Sequence, residues 1–547
     1  MRISPGFVFG LALVVLLPTI ARRDLWAPDE PRHAEVARTM LATSEWLVPH
    51  LNGAIYPDKP APPFWLIAAS MRLLGVHDWA ARVPTVIAAA AILAMLVSIA
   101  SHLAIERVAL LAVLVLATAF RTAWSFQRVS LDVMMTAFVC AAMLAWLRQW
   151  KGRGKSATNG AFYFGAIALG ASIKGPLALL VPLFAALGHA YATRSLRRFT
   201  SPAFLGVGIL TLLAVVGSWA IPVWLRTDAA YRYELFFKQS AGRITQAWNH
   251  EAPPWYYLVD LPAEFMPWTP LLLVAIVAIA RLRPTSSRDA WTFLAAWTLP
   301  AFVFLSIVES KRGNYLIPLF PGLALMTALG LDVLVQAGGA WLKSTRIAIA
   351  GGLTSIVLAG VALAVGPFVP TLRERGIDVP WVVAMLGPLV AAVTCLAGFA
   401  ALRGGRLERA THVLGFGAVL TVVVVAVGVL PAVDAAKSAR SIAQSLRDEL
   451  PAGAYVPLLD VRAEEMRFYS GLDCRESDSK EAFAHALQDP NVRLAVAEAK
   501  ALSKLRKKGL LPDTVVERPA RAVGGTDAVV VLERVDGTRS RTGSSPK

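Results

Sequence analysis

Cysteine is nearly absent, with three in 547 residues. Cys140 and Cys395 fall inside apolar runs and Cys474 stands apart, so no disulfide framework and no zinc-ligand spacing is available. Charge is also scarce, at 17% of residues, and acids (37) are outnumbered by Lys and Arg (54). The chain is instead 56% hydrophobic, with a mean hydropathy of +0.55. Apolar runs of about 20 residues recur from Gly6 to Val433 and then stop. That pattern excludes a soluble globular chain. It predicts a mainly α, polytopic membrane region over 1–433, a soluble α/β domain over 434–535 and a disordered tail over 536–547.

The net charge of +17 could suggest nucleic acid, but its distribution argues against that partner. Four basic clusters sit in short loops between apolar runs: Arg148 to Lys155, Arg194 to Arg198, Arg281 to Arg288, and Arg403 to Arg409. Few acids accompany them, as expected of loops held in the cytoplasm by positive charge. Spans are expected near 5–21, 81–103, 108–126, 133–148, 161–173, 176–192, 202–224, 265–281, 290–308, 315–337, 347–369, 380–402 and 411–432. With about thirteen spans and the N-terminus inside, all four clusters fall inside and the C-terminal domain outside. The apolar stretch 64–76 is short, follows Pro60, Pro62 and Pro63, and carries Arg72, so it is read as an interfacial helix. Arg22-Arg23-Asp24 is a poor cleavage site, and the first apolar run is read as an uncleaved span.

Two external segments are then long, 22–80 and 225–264, and short external turns surround Asp132, Lys174 and Lys311-Arg312. Long charged loops on one face are where function concentrates. The first opens Pro28-Asp29-Glu30-Pro31-Arg32, and from Pro31 the positions Ala34, Ala37, Met40 and Leu41 form one apolar helical face. Asp29 and Glu30 also suit the ordinary start of a helix, with Pro31 in first place. The same loop ends Tyr56-Pro57-Asp58-Lys59-Pro60. In the second, Trp248-Asn249-His250-Glu251 precedes an aromatic run at 255–257, read as interfacial anchoring.

Taken in order, these motifs resemble the lipid-linked-sugar-dependent glycosyltransferases of GT-C type, which include protein O-mannosyltransferases and the lipid A aminoarabinose transferase. The resemblance rests on Asp29-Glu30 and its helix, Asp58-Lys59-Pro60, and Gly75 through Arg82-Val83-Pro84. It continues through Arg128-Val129-Ser130-Leu131-Asp132, Ile173-Lys174-Gly175-Pro176, and Lys311 through Pro318, covering roughly 20–325. Length and span count are most similar to the aminoarabinose transferase branch. Pro31 and Asp58 depart from that branch, which usually has Gly or Thr after the acidic pair and Glu before the lysine.

The resemblance implies a GT-C-like fold and a sugar moved from a polyprenyl phosphate, with inversion, to lipid A or another envelope acceptor. The departing phosphate gains charge and calls for fixed cations. Lys59, Arg32 and Lys174 are the candidates, with Tyr315 as hydrogen-bond donor and Arg128 and Arg312 behind them. Arg128 and Arg312 also fit snorkelling at the membrane boundary. Asp29, Glu30 and Asp132 are the candidate catalytic carboxylates. A hydroxyl acceptor would want Asp29 as base, whereas a phosphate acceptor would leave it an orienting role. Asp132 also suits a helix N-cap. Tyr56, Asp58, His250 and Glu251 are candidate substrate contacts. No cofactor is required, although His250, Glu251 and Asp58 could hold a divalent metal. The implied setting is the bacterial inner membrane, as a monomer in the bilayer with a periplasmic C-terminal domain.

That domain reads as helices over 436–450, 463–469 and 500–508, with strands over 454–459, 492–496, 514–517 and 528–533. It contains no nucleotide-binding glycine pattern, which points to recognition or cover of the site. The competing readings are a protein O-mannosyltransferase-like enzyme and a non-catalytic transporter or flippase. No internal repeat of the transporter kind is visible.

Overall fold

Backbone polar groups find no water in lipid, so apolar runs must satisfy them internally, as helix. The computed structural model describes residues 3–242, 251–512, 514–518 and 529–534. Helix stands at each expected span. Among the described residues, eight helices are long and apolar enough to cross a membrane: Asp78–His102, Leu131–Trp150, Pro202–Arg226, Thr285–Ile307, Gly313–Ala337, Trp341–Phe368, Trp381–Arg403 and Leu407–Lys437. Tyr256–Glu264 and Thr269–Leu282 make a ninth only if taken together, and they meet at a bend of 117°. Pro5–Ile20 and Leu177–Ala192 are apolar but 16 residues long. The expected span over 108–126 is broken: Ala109–Thr118 stops at extended Ala119, and a new short helix, Phe120–Ser125, begins.

The first external loop folds as α2 (Asp29–Thr43), a two-residue hairpin and α3 (Pro62–Leu74). α2 starts at Asp29, so Pro31 lies inside the first turn rather than in first place. Those early positions need no intrahelical N–H, which is why proline is tolerated there. Strands β1 (His50–Leu51) and β2 (Ala54–Ile55) pair antiparallel across Asn52-Gly53, both at positive φ (54° and 83°). This is the turn chemistry that matches strand twist, and it aims Tyr56 to Lys59 back at α2. α3 has 13 residues, about 20 Å of helix against a hydrocarbon core of about 30 Å, so it is too short to span.

The C-terminal sheet has strands β3 (Tyr455–Leu459), β4 (Asp473–Glu476), β5 (Leu494–Glu498), β6 (Val515–Glu517) and β7 (Val529–Arg534), in the order β4-β3-β5-β7-β6. β3 runs parallel to β4 and β5, while β7 runs antiparallel to β5 and β6. Alternation along the strands gives the sheet two apolar faces. Val456, Leu458, Leu494 and Val496 join helices Arg440–Glu449 and Ala463–Ser470 in the main core. Leu459, Ala495 and Ala497 meet Phe483 and Leu505 on the other side. β4 and the helix Lys480–Ala486 were not expected from the sequence, being short and largely polar. The expected helix over 436–450 is divided at Ser438 and Ala439, its first part continuing the last apolar helix. The tail over 536–547 lies outside the described residues.

Candidate active site

α2, the strand-to-α3 segment, helix Phe120–Ser125, the start of Leu131–Trp150, the end of Ser156–Lys174 and the 312–315 segment converge on one polar cavity of about 250 Å³. Ten of the thirteen residues expected at the site line it: Asp29, Arg32, Tyr56, Asp58, Lys59, Arg128, Asp132, Lys174, Arg312 and Tyr315.

Lys174 reaches this position because its helix stops at Gly175 (φ 87°), a conformation that excludes most side chains, and Pro176 opens the next helix. Its Nζ donates to Asp132 Oδ2 at 2.5 Å and lies 5.8 Å from the Tyr315 ring centroid. Asp132 is not the N-cap: Ser130 is, accepting from Val133 N. Asp132 sits in the first turn, where a carboxylate suits the helix dipole, and its buried Oδ1 has no partner among the described residues.

Asp29, Arg32 and His33 share one face of α2. Burial raises the Asp29 carboxyl, but the surrounding charges of His33, Lys174, Arg32 and Arg312 outweigh it and hold the group below its usual range. Arg32 lies 3.8 Å from Asp29 and 4.0 Å from Glu464, and it hydrogen bonds Tyr56. Burial of Tyr56, which packs edge-on to Phe64, raises its hydroxyl above the usual phenolic range. Lys59 Nζ donates to the Asp58 carbonyl at 2.9 Å.

Glu30, the second of the candidate catalytic carboxylates, sits apart from Asp29 and Asp132. It is fully buried and does not line the cavity. Its oxygens receive Arg23 (2.7 Å), Arg82 (2.9 Å) and Arg128 (3.5 Å), plus the N–H groups of Trp26 and Val129. Burial works against its charge, but the three guanidiniums hold the carboxyl well below its ordinary value. Glu30 therefore fastens the first loop to Asp78–His102 and to the 128–130 turn. Arg128 also stacks over Trp124 at 4.9 Å, so it is positioned from two sides.

Glu251 stands outside the cavity lining, bridged antiparallel to Ser310, and His250 lies outside the described residues. Among the described residues no group of three or more His, Cys, Asp or Glu side chains is placed to hold a metal. The aromatic run divides: Trp255 is exposed, whereas buried Tyr257 exchanges hydrogen bonds of 3.2 Å with the Arg312 backbone.

Sequence reasoning missed His33, Arg121, Trp124 and Asn314, all lining the cavity. His33 is buried and its Nδ1 has no partner among the described residues; burial drives the imidazole down to about 3, so it is neutral. Arg121 is held by Glu264 and by Asn314 Oδ1 at 3.0 Å. Its signal was a charged residue within an apolar run, which is functional more often than not.

The C-terminal domain closes on the same loop. Tyr469 Oη accepts from Leu25 N (2.7 Å), Arg440 pairs with Asp24 (2.8 Å) and Asp78 (3.2 Å), and Arg467 lies 3.6 Å from Glu35.

A second cavity, of about 350 Å³, begins where the first ends. The two share Asp58, Lys59, Lys174 and Tyr315, and the second continues among Leu177, Leu180, Trp219, Phe236 and Phe304.

In sequence and in fold the chain is similar to known proteins. The family profile of dolichyl-phosphate-mannose-protein mannosyltransferases matches residues 58–219. The undecaprenyl phosphate-alpha-4-amino-4-deoxy-L-arabinose arabinosyl transferase of Edwardsiella ictaluri is 30% identical over 370 residues, 66% of this chain and 64% of that relative. The enzyme of the same name from Pectobacterium carotovorum is 28% identical over 542 residues, covering 96% and 91%. The crystal structure of ArnT from Cupriavidus metallidurans bound to undecaprenyl phosphate superposes with a TM-score of 0.75 at 20% identity, covering 96% of this chain and 97% of that one. The chain is a multi-span membrane protein with the fold of the ArnT structure, and in sequence it is similar to polyprenyl-phosphate-sugar glycosyltransferases. The relatives it is similar to over most of its length are aminoarabinose transferases.

Proposed function

We propose that this protein transfers a sugar, aminoarabinose or a close relative, from a polyprenyl phosphate to lipid A or another envelope acceptor. The observation that carries the reading is the continuity of the two cavities. A polar chamber rich in cations leads through Lys59, Lys174 and Tyr315 into an apolar one, matching a donor with a phosphate between a sugar and a long hydrocarbon tail. The relatives named above are arabinosyl transferases whose names give an undecaprenyl phosphate aminoarabinose.

In the proposed reaction an acceptor oxygen attacks the anomeric carbon from the face opposite the phosphate. The carbon–oxygen bond to phosphate breaks, and its electron pair leaves on the phosphate, inverting the centre. Lys59 and Lys174 stabilise that charge, and Tyr315 donates a hydrogen bond to it. A phosphate acceptor is already anionic, so Asp29 then orients the sugar. The reaction requires no cofactor, and the chain acts as a monomer.

The cavity is proposed to face the periplasm. Asp132 and Lys174 lie at the helix ends opposite those carrying Arg148 and Lys155, which keeps the basic clusters away from the cavity. The N-terminus then lies in the cytoplasm and the C-terminal domain in the periplasm.

Ionised Asp29 at the cavity wall favours a second reading, with a protein hydroxyl as acceptor and Asp29 as its base. Mass spectrometry of lipid A and envelope glycoproteins from cells with wild type or Asp29→Asn separates the two. Loss of an amino sugar from lipid A supports the first reading. Unchanged lipid A with altered glycoproteins supports the second, and no change in either overturns both.

A further inference from the structure

Helices Thr269–Leu282 and Arg288–Ile307 follow one another across a short turn, yet neither lies along the other. Each packs instead on Phe320–Ala337, which forms a floor beneath them. The splay leaves a cavity of about 820 Å³, larger than either cavity described above. Leu272, Ile276 and Ile279 form one wall, and Ala295, Leu299 and Phe302 the other. Successive helices usually bury their facing sides against each other, so walls this apolar call for a hydrocarbon occupant.

One end of the cavity differs in chemistry. Arg283, Thr285, Arg288 and Trp291 line it there. Arg283 takes a left-handed conformation (φ 45°), uncommon for a side chain of its size. The indole Nε1 of Trp291 is buried with no partner among the described residues, a costly state unless an acceptor arrives. Two guanidiniums and an unsatisfied N–H favour one anion at this end, against the single carboxylate of Asp289 in the first turn of the 20-residue helix. From Arg288 to Phe302 the wall runs about 21 Å at ~1.5 Å per residue. That exceeds the half-thickness of about 15 Å that one leaflet's hydrocarbon provides.

We propose that this cavity binds one anionic phospholipid, its phosphate held by Arg283, Arg288 and the Trp291 indole and its acyl chains lying between the splayed helices. The headgroup lies at the helix ends opposite the polar cavity, in the other leaflet. At its far end the site reaches Tyr257 and Leu316, and Tyr257 holds the Arg312 backbone of the polar cavity. The phospholipid thus buttresses the segment that presents Arg312 and Tyr315.

Native mass spectrometry tests this on the full chain, released from nanodiscs containing equal phosphatidylglycerol and phosphatidylcholine, with and without added undecaprenyl phosphate. Wild type should retain one phosphatidylglycerol at least about tenfold over phosphatidylcholine, and Arg283→Gln with Arg288→Gln should bring the ratio near parity. Trp291→Phe should lower retention without removing the preference. Ala295→Trp, which fills the cavity from its apolar wall and leaves every charge in place, should abolish retention and covers the case in which the arginine variant fails to insert. Equal retention of both lipids by wild type overturns the proposal, as does full retention by Ala295→Trp. Displacement of phosphatidylglycerol by undecaprenyl phosphate also overturns it and gives the cavity to the donor.

Discussion

Lys174 Nζ and Asp132 Oδ2 meet at 2.5 Å, joining the last residue of one helix to the first turn of another at the junction of the polar and apolar cavities. The pair keeps a cation where a lipid phosphate would depart, and it leaves Asp132 Oδ1 available to a sugar hydroxyl. Lys174→Ala should lower kcat by about 10²–10³, the usual loss when one donor to a developing anion is removed. Asp132→Asn should raise KM for the donor as well as lowering kcat, because the lysine loses its anchor. Steady-state kinetics on reconstituted protein read both, and a Lys174→Ala enzyme with unchanged kcat would remove the lysine from the mechanism.

Asp29 and Glu30 are neighbours with separable roles. Asp29 is half-exposed and pairs loosely with Arg32, so Asn there should cost under about 1 kcal/mol of stability while abolishing transfer. Glu30→Gln leaves two buried guanidiniums, Arg23 and Arg82, and the part-exposed Arg128 without their carboxylate and should cost about 3–5 kcal/mol. Thermal unfolding in detergent beside a transfer assay distinguishes them. Equal loss of stability in both variants would contradict the division.

Buried Glu465 accepts from Ala439 N, at the break between the last apolar helix and the helix Arg440–Glu449. Burial pushes its carboxyl up to about 8 from an ordinary 4.5. The folded form therefore keeps a proton that the unfolded chain gives up above 4.5, so stability falls as pH rises toward 8 and levels off above it. Glu465→Gln should remove that fall. Unfolding midpoints at roughly pH 5 and pH 9 measure it, and an identical pH slope in both proteins would exclude Glu465 as the cause.

Gly313 is required by its neighbours. A Cβ there would lie 2.5 Å from Arg121 Nη2 and 3.0 Å from Asp260 Oδ2. Because the guanidinium is the movable partner, Gly313→Ala should push Arg121 out of place while the fold survives. Activity should drop by about tenfold with little change in unfolding temperature. Full activity in this variant would show that the position of Arg121 does not matter to the reaction.

Membrane class, most helix positions and ten of the cavity residues were legible because hydropathy and short charged turns record them directly. The placement of Glu30 was not legible, because adjacency in sequence hides a difference of facing: one helical step turns it from the cavity into the arginine cluster. His33 was legible in principle, four residues after Asp29 on the same face. Arg121 was concealed by the assumption that 108–126 is one continuous helix, whereas the chain breaks at Ala119. The splayed helices and their cavity leave no mark in periodicity, since each helix is apolar whether it meets protein or lipid.

The central claim is tested most directly by incubating purified, reconstituted protein with an undecaprenyl phosphate amino sugar and a lipid A acceptor, and following both lipids by mass spectrometry. Equimolar appearance of free undecaprenyl phosphate and sugar-modified lipid A, lost in Asp29→Asn and Lys174→Ala, is the expected result. Donor that stays intact in the presence of folded wild type and every acceptor offered, or product formed equally by the two variants, would contradict the account.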